Sequence, residues 1–214
     1  MQTSQQTDGP IRPISPSTDA EIDLVVIAAS AGGLHAVSTI LAALPTDFPA
    51  AIAVVQHRPP DDEVHLYEQL IANKTPLPVQ TAQQGDRLQT GSVYVAPPDH
   101  HMQVTEQGGL TLAHTAKVGY ARPAADPLFA SAATHIKGRL IAVILTGGNS
   151  DGADGIKAIK QAGGTVIAQD PATAEATGMP RSAIATGAVD FILPLAEIGP
   201  TLLALLQMSR EQQA

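Results

Sequence analysis

The chain contains no cysteine and no tryptophan. Without cysteine there is neither a disulfide framework nor a thiolate metal site, and a reducing cytoplasm is the simplest setting. Aromatic residues make up only 3% of the 214 residues and hydrophobic ones 44%, so the core must be assembled mostly from Ala, Val, Ile and Leu. Positive charge is also scarce: 12 Lys and Arg stand against 20 Asp and Glu, a formal net charge of −8. Such a chain releases few counterions from nucleic acid or anionic membrane, so neither is expected as a partner. No apolar run reaches the ~18 residues that span a bilayer, and the first residues lack a basic start followed by an apolar block. A soluble cytoplasmic protein without membrane insertion is expected.

What the sequence does have is alternation. Residues 1–20 (MQTSQQTDGPIRPISPSTDA) are rich in Gln, Ser, Thr and Pro without periodicity and read as a disordered tail or linker. Residues 21–214 read as one domain in which short apolar runs take turns with helical stretches. Buried-strand runs fall at 24–29 (LVVIAA), 50–56, 139–146, 165–169 and 189–194, and helical spacing at 34–44, 62–72, 126–137, 152–162 and 195–209. The middle of the chain holds short strands, the last of which breaks at Gly108-Gly109 into a hairpin. Continuously apolar strands joined by helices predict an α/β fold: a doubly wound, mostly parallel sheet with helices on both faces, interrupted by an antiparallel excursion over about 80–115.

Sheets of this kind carry their functional groups at the carboxyl ends of the strands, where the strand order reverses. Three polar residues occupy such places: Ser30 after the first strand, His57 after the second, and Asp151 in the loop GGNSDGADG after the run LIAVILT. A hydroxyl, an imidazole and a carboxylate are the parts needed to activate an oxygen nucleophile. The turn Ser30-Ala31-Gly32-Gly33 places the serine at a helix amino terminus, where free N–H groups can stabilise an oxyanion, and the glycines leave room for a planar carbonyl. Each residue also has a plainer reading. Ser-Gly-Gly turns are often packing features or phosphate cradles, and the chain has seven histidines. Asp151 precedes the helix GADGIKAIKQAG and would serve as its N-cap. Neither G-x-G-x-x-G nor G-K-[ST] is present, and Gln56-His57 stands where a dinucleotide fold places its ribose-binding acid, so nucleotide binding is a distant alternative. The adjacent His100 and His101 lack helical metal-binding spacing, and no metal is expected.

The segments ASAGG (29–33), QHRPP (56–60), GSVYVAPPDHHM (91–102), RPAADPLF (122–129), VILTGGNSDGADG (143–155) and GMPRSAI (178–184) resemble, in order, those of the CheB-type protein-glutamate methylesterases. The resemblance implies a Ser, His, Asp triad at Ser30, His57 and Asp151. It also implies a doubly wound fold with a hairpin, no cofactor, and hydrolysis of glutamate γ-methyl esters on chemoreceptor cytoplasmic helices, releasing methanol, with glutamine deamidation in many members. Backbone N–H groups near Ala31 and Gly148 are the candidate oxyanion hole. Family members commonly carry Thr and Met where this chain has Ala31 and Gly148. The order Ser, His, Asp also differs from the Ser, acid, His order of α/β-hydrolases. The receiver domain that usually precedes this unit does not fit into a tail of about 20 residues, so control by a separate partner in trans, or none, is expected.

Receptor methylation regions are typically acidic, as is this chain, so long-range steering would be repulsive and local cations must do the recognition. Arg58, Arg122 and Arg181 lie in the matched segments and are candidates for pairing with receptor carboxylates, with ordinary surface ion pairing as the alternative. Besides the methylesterase, a noncatalytic regulator using the same cleft and an esterase of unrelated substrate remain as readings.

Overall fold

The computed structural model of the protein describes residues 22–62 and 66–211; the expected tail at 1–20 and His65 lie outside them. Nine strands and six helices follow one another among the described residues. They are β1 (Leu24–Ala29), α1 (Gly33–Ala42), β2 (Ala51–Gln56), α2 (Leu66–Ala72), β3 (Val79–Thr81), β4 (Val93–Val95), β5 (His101–Val104) and β6 (Leu110–Ala113), then α3 (Ala125–His135), β7 (Leu140–Ile144), α4 (Ala153–Gln161), β8 (Thr165–Gln169), α5 (Gly178–Ala185), β9 (Phe191–Leu193) and α6 (Leu195–Glu211). No described helix is long and apolar enough to cross a membrane.

Seven strands form a parallel sheet in the order β3-β4-β2-β1-β7-β8-β9, and β5 with β6 makes a separate antiparallel pair. β1, β2 and β7 are buried along their whole length, because helices cover both faces and leave no place for a polar side chain. Strand alternation then divides the core in two. Leu24, Val26 and Ala28 of β1 join α3, α4 and the β5–β6 hairpin on one face. Val25, Ile27 and Ala29 join α1, α2 and α6 on the other. Each fully buried Val, Ile or Leu contributes about 1.5–3 kcal/mol of hydrophobic stabilisation, which is how a core so poor in aromatics holds together.

The antiparallel excursion is narrower than expected. β3 and β4 extend the main sheet in parallel beside β2, and the antiparallel strand pair is confined to residues 101–113. The central pair, β1 and β7, is the point where the winding reverses: β1 leads to β2 on one side, β7 to β8 on the other. The loops leaving this pair stay bonded to each other, the Thr146 hydroxyl donating to the Ala31 carbonyl (2.7 Å).

Candidate active site

Ser30 is the first residue beyond β1, and the sheet continues into it. Its N–H donates to the Thr146 carbonyl (2.9 Å), and the His57 N–H donates to the Ala29 carbonyl (3.0 Å). The register of β1 and β2 ends at Ala29 beside Gln56, so one step further sets Ser30 beside His57. Alternation turns both side chains toward the face that carries α3, since Ser30 follows Val26 and Ala28, and His57 follows Ala53 and Val55. No hydrogen bond joins the Ser30 hydroxyl to the imidazole among the described residues.

The imidazole has a firm partner. His57 Nε2 lies 2.7 Å from Asp151 Oδ2, with the His57 side chain 12% exposed and that of Asp151 fully buried. Asp151 also accepts from the backbone N–H groups of Ala125 (2.6 Å) and Asp126 (3.2 Å). A carboxylate only accepts, so Nε2 is the donor in this contact and Nδ1 is the ring nitrogen that it leaves over. The N-cap reading of Asp151 is corrected by these contacts. The residue capping α4 is Gly152, at φ +88, and Asp151 instead caps α3, whose own N-cap residue, Ala124, has no side chain able to do so. Asp126, in the first turn of α3, returns the arrangement by accepting from Gly155 of α4 (2.7 Å). The two helix amino termini thus cap each other. Burial, only partly offset by the Gly155 N–H and reinforced by the nearby Asp151, pushes the Asp126 carboxyl above the usual aspartate range.

Two residues that the sequence reading passed over hold the strand ends in place. Gln56, 7% exposed, donates from Nε2 to the carbonyls of Ser30 (2.8 Å) and His57 (3.1 Å), while its Oε1 accepts from Tyr67 (3.3 Å). Thr146, the polar end of LIAVILT, donates its hydroxyl to the Ala31 carbonyl (2.7 Å) and accepts from the Ala176 N–H (2.9 Å). The only signal for either in the sequence is a polar side chain closing an apolar strand.

The glycines after Ser30 have a structural reason of their own. Gly32 sits at φ +75, and a Cβ there would meet Glu175, 2.8 Å from its Cβ. At Gly33 a Cβ would lie 2.0 Å from Gln56 Oε1 and 2.8 Å from the Ala29 Cβ. They permit a left-handed turn and close packing of α1 on the sheet.

Ala31 and Gly148 are exposed, at the ends of the loops leaving β1 and β7, and neither N–H is donated to an acceptor among the described residues. The candidate substrate cations are placed differently from one another. Arg58 is buried in an ion pair with Glu68 (2.9 Å; side chains 4% and 5% exposed), with its guanidinium 5.1 Å from the Tyr67 ring centre. Arg122 pairs with Asp99 through Nη2 (2.6 Å) and Nε (2.9 Å). Those bonds hold the Asp99 carboxyl below its ordinary range. Neither arginine is thus a free cation. Arg181, in α5, is exposed and makes no ion pair among the described residues. His100 and His101 serve the backbone, contacting the carbonyls of Pro98 (3.1 Å) and Ala116 (3.1 Å). An open cleft of about 480 Å³ begins at His57 and is walled by Pro59, Pro60, Asn149, Lys117 and Tyr120.

A doubly wound sheet with a carboxylate-held imidazole beside a serine, at the point where its winding reverses, has the architecture of an α/β hydrolytic domain. A family model described as CheB methylesterase matches residues 25–202, and the chain belongs to that family. A Leptospira interrogans protein is 40% identical over 194 residues, 89% of this chain and 98% of its own length. A Pyrococcus abyssi protein named protein-glutamate methylesterase/protein-glutamine glutaminase is also 40% identical, over 92% of this chain but 54% of its own length. The Thermotoga maritima CheB methylesterase catalytic domain superimposes with a TM-score of 0.83 at 38% identity, covering 87% of this chain and all of that one.

Proposed function

We propose that the protein is a serine hydrolase that removes methyl groups from glutamate γ-esters of chemoreceptors and releases methanol, with glutamine deamidation as a related activity. The observation that carries this reading is the 2.7 Å His57–Asp151 contact beside Ser30 in the strand register, in a chain of this family. Ser30 Oγ attacks the ester carbonyl while His57 Nδ1 takes its proton; the carbonyl π pair moves onto oxygen, where the free N–H groups of Ala31 and Gly148 receive it. Collapse expels methoxide, which leaves as methanol with the proton from His57. Water, deprotonated by the same imidazole, then attacks the acyl-serine, restoring Ser30 and leaving glutamate. Asp151 fixes the tautomer and stabilises the imidazolium throughout. The cytoplasmic helices of a chemoreceptor are the proposed partner, the cytoplasm the proposed location, and a separate regulator acting in trans the proposed control.

The test is methanol release from a methylated receptor fragment by wild type and Ser30→Ala. Loss of about 10³-fold or more in the variant, with folding intact, is expected. Equal rates would overturn the assignment of Ser30, and binding without release by either would favour the noncatalytic reading.

A further inference from the structure

The segment between Lys117 and Arg122 has a conformation that packing does not explain. Val118 and Ala121 exchange backbone hydrogen bonds (3.1 and 2.9 Å), closing a two-residue turn with Gly119 at φ +54 and Tyr120 at φ +68. Both central residues are left-handed, as in a type I′ turn, whose second central position favours glycine. An aromatic side chain there is strained. Burial does not offset the strain, because Tyr120 is 97% exposed.

The mount, by contrast, is firm. Arg122 is tied to Asp99 by two hydrogen bonds and to the Thr115 carbonyl by a third, and Asp99 also meets His114 (2.9 Å). The turn therefore holds a tyrosine out in solvent, on the wall of the cleft that starts at His57. Beside it, Lys117 is exposed and has no partner among the described residues, whereas the other two cations of the cleft, Arg58 and Arg122, are paired internally. In a chain of net charge −8, an acidic substrate is repelled at long range and must be held by local contacts.

From these observations we infer that Lys117 and Tyr120 form the substrate-selecting grip of the cleft, accepting an acidic helical surface. This rests on the methylesterase reading above. On a helix, side chains three and four residues from the target glutamyl ester share its face, so a carboxylate there can reach Lys117 while the apolar stems of its neighbours lie against the Tyr120 ring. A small neutral ester has neither feature and passes the grip by.

The test compares kcat/KM for methanol release from a methylated receptor cytoplasmic fragment with kcat/KM for p-nitrophenyl acetate, and reads the ratio. Lys117→Glu is expected to lower the ratio about tenfold or more, chiefly through the receptor KM, and to make the variant's ratio rise as added salt screens the repulsion. Tyr120→Gly separates recognition from structure, because it relieves the left-handed strain while removing the ring: its melting temperature should rise as its ratio falls. Ratios equal to wild type in both variants would refute the grip and leave the methylesterase reading standing. Wild type that releases no more methanol than Ser30→Ala would overturn that reading, and the grip with it.

Discussion

Gly33→Ala tests whether Ser30 and His57, the proposed nucleophile and base, are positioned by the buried Gln56 amide. The added methyl would lie 2.0 Å from Gln56 Oε1 and 2.8 Å from the Ala29 Cβ, where contact normally begins near 3.4 Å. Gln56 can swing aside, but Ala29 is in the middle of the core, at 0% exposure, and α1 must move off the sheet by about half an ångström or more. Overpacking of this kind costs about 1–3 kcal/mol. A displaced Gln56 also gives up its bonds to the carbonyls of Ser30 and His57, and a buried amide left unsatisfied adds about 1–3 kcal/mol. The expected loss of stability is therefore about 2–6 kcal/mol, read by urea unfolding. A nucleophile misplaced by about 1 Å costs roughly 10²-fold in rate, so methanol release by the folded variant should fall by about that factor. Gly163→Ala is the control: unlike Gly33 it is left-handed, at φ +84, and it has open space around it at the far end of α4. It should lose some stability and no rate. A folded Gly33→Ala protein with wild-type kcat/KM would show that the Gln56 brace does not govern the site.

Three further outcomes follow from the same contacts. Arg58→Met strands Glu68 in the core and should cost about 3–5 kcal/mol in urea unfolding, whereas Arg58→Met with Glu68→Leu should recover most of it. Full stability in the single variant would contradict the buried pair. Thr146→Val removes the hydroxyl bonded to Ala31 and Ala176 and should cost about 1–3 kcal/mol with a lowered rate; unchanged values of both would remove its bracing role. The Asp126 carboxyl is raised in the folded state, so the native protein binds the proton more tightly than the unfolded chain. Stability is therefore lost as pH climbs from the ordinary carboxyl value, about 3.9, through the raised one. Asp126→Asn keeps an acceptor for Gly155 without the charge, so unfolding measured from pH 3.5 to 7 should show the variant gaining on wild type as pH rises. Parallel curves would dismiss the effect.

The main strands were legible because each is continuously apolar, and Ser30, His57 and Asp151 stood out as polar residues just beyond three of them. α5 was not, since GMPRSAIA contains Gly and Pro and no apolar period; Pro180 is tolerated because the first helical turn needs few N–H donors. β3 and β4, with three residues each, carry too little pattern to be assigned to the main sheet. The plainer reading of Asp151 had it cap the helix it precedes, but the helix it caps, α3, starts 26 residues earlier in the chain. Arg58 is a basic residue in a loop by sequence, and only the fold brings Glu68 and the Tyr67 ring around it. The Gly119-Tyr120 turn went unnoticed because the glycine stands at the first central position, leaving the aromatic in the second.

The crossed capping of α3 and α4 sets unequal hazards for the three side chains of the proposed triad. Asp151 fastens two helices as well as an imidazole, so a lineage that abandons turnover has every incentive to keep it. Ser30 bears no such structural duty through its hydroxyl. Chains of this design that drift into silent scaffolds should therefore discard the serine first and the aspartate last, and a dead relative that still carries its acid would be the fossil of that order.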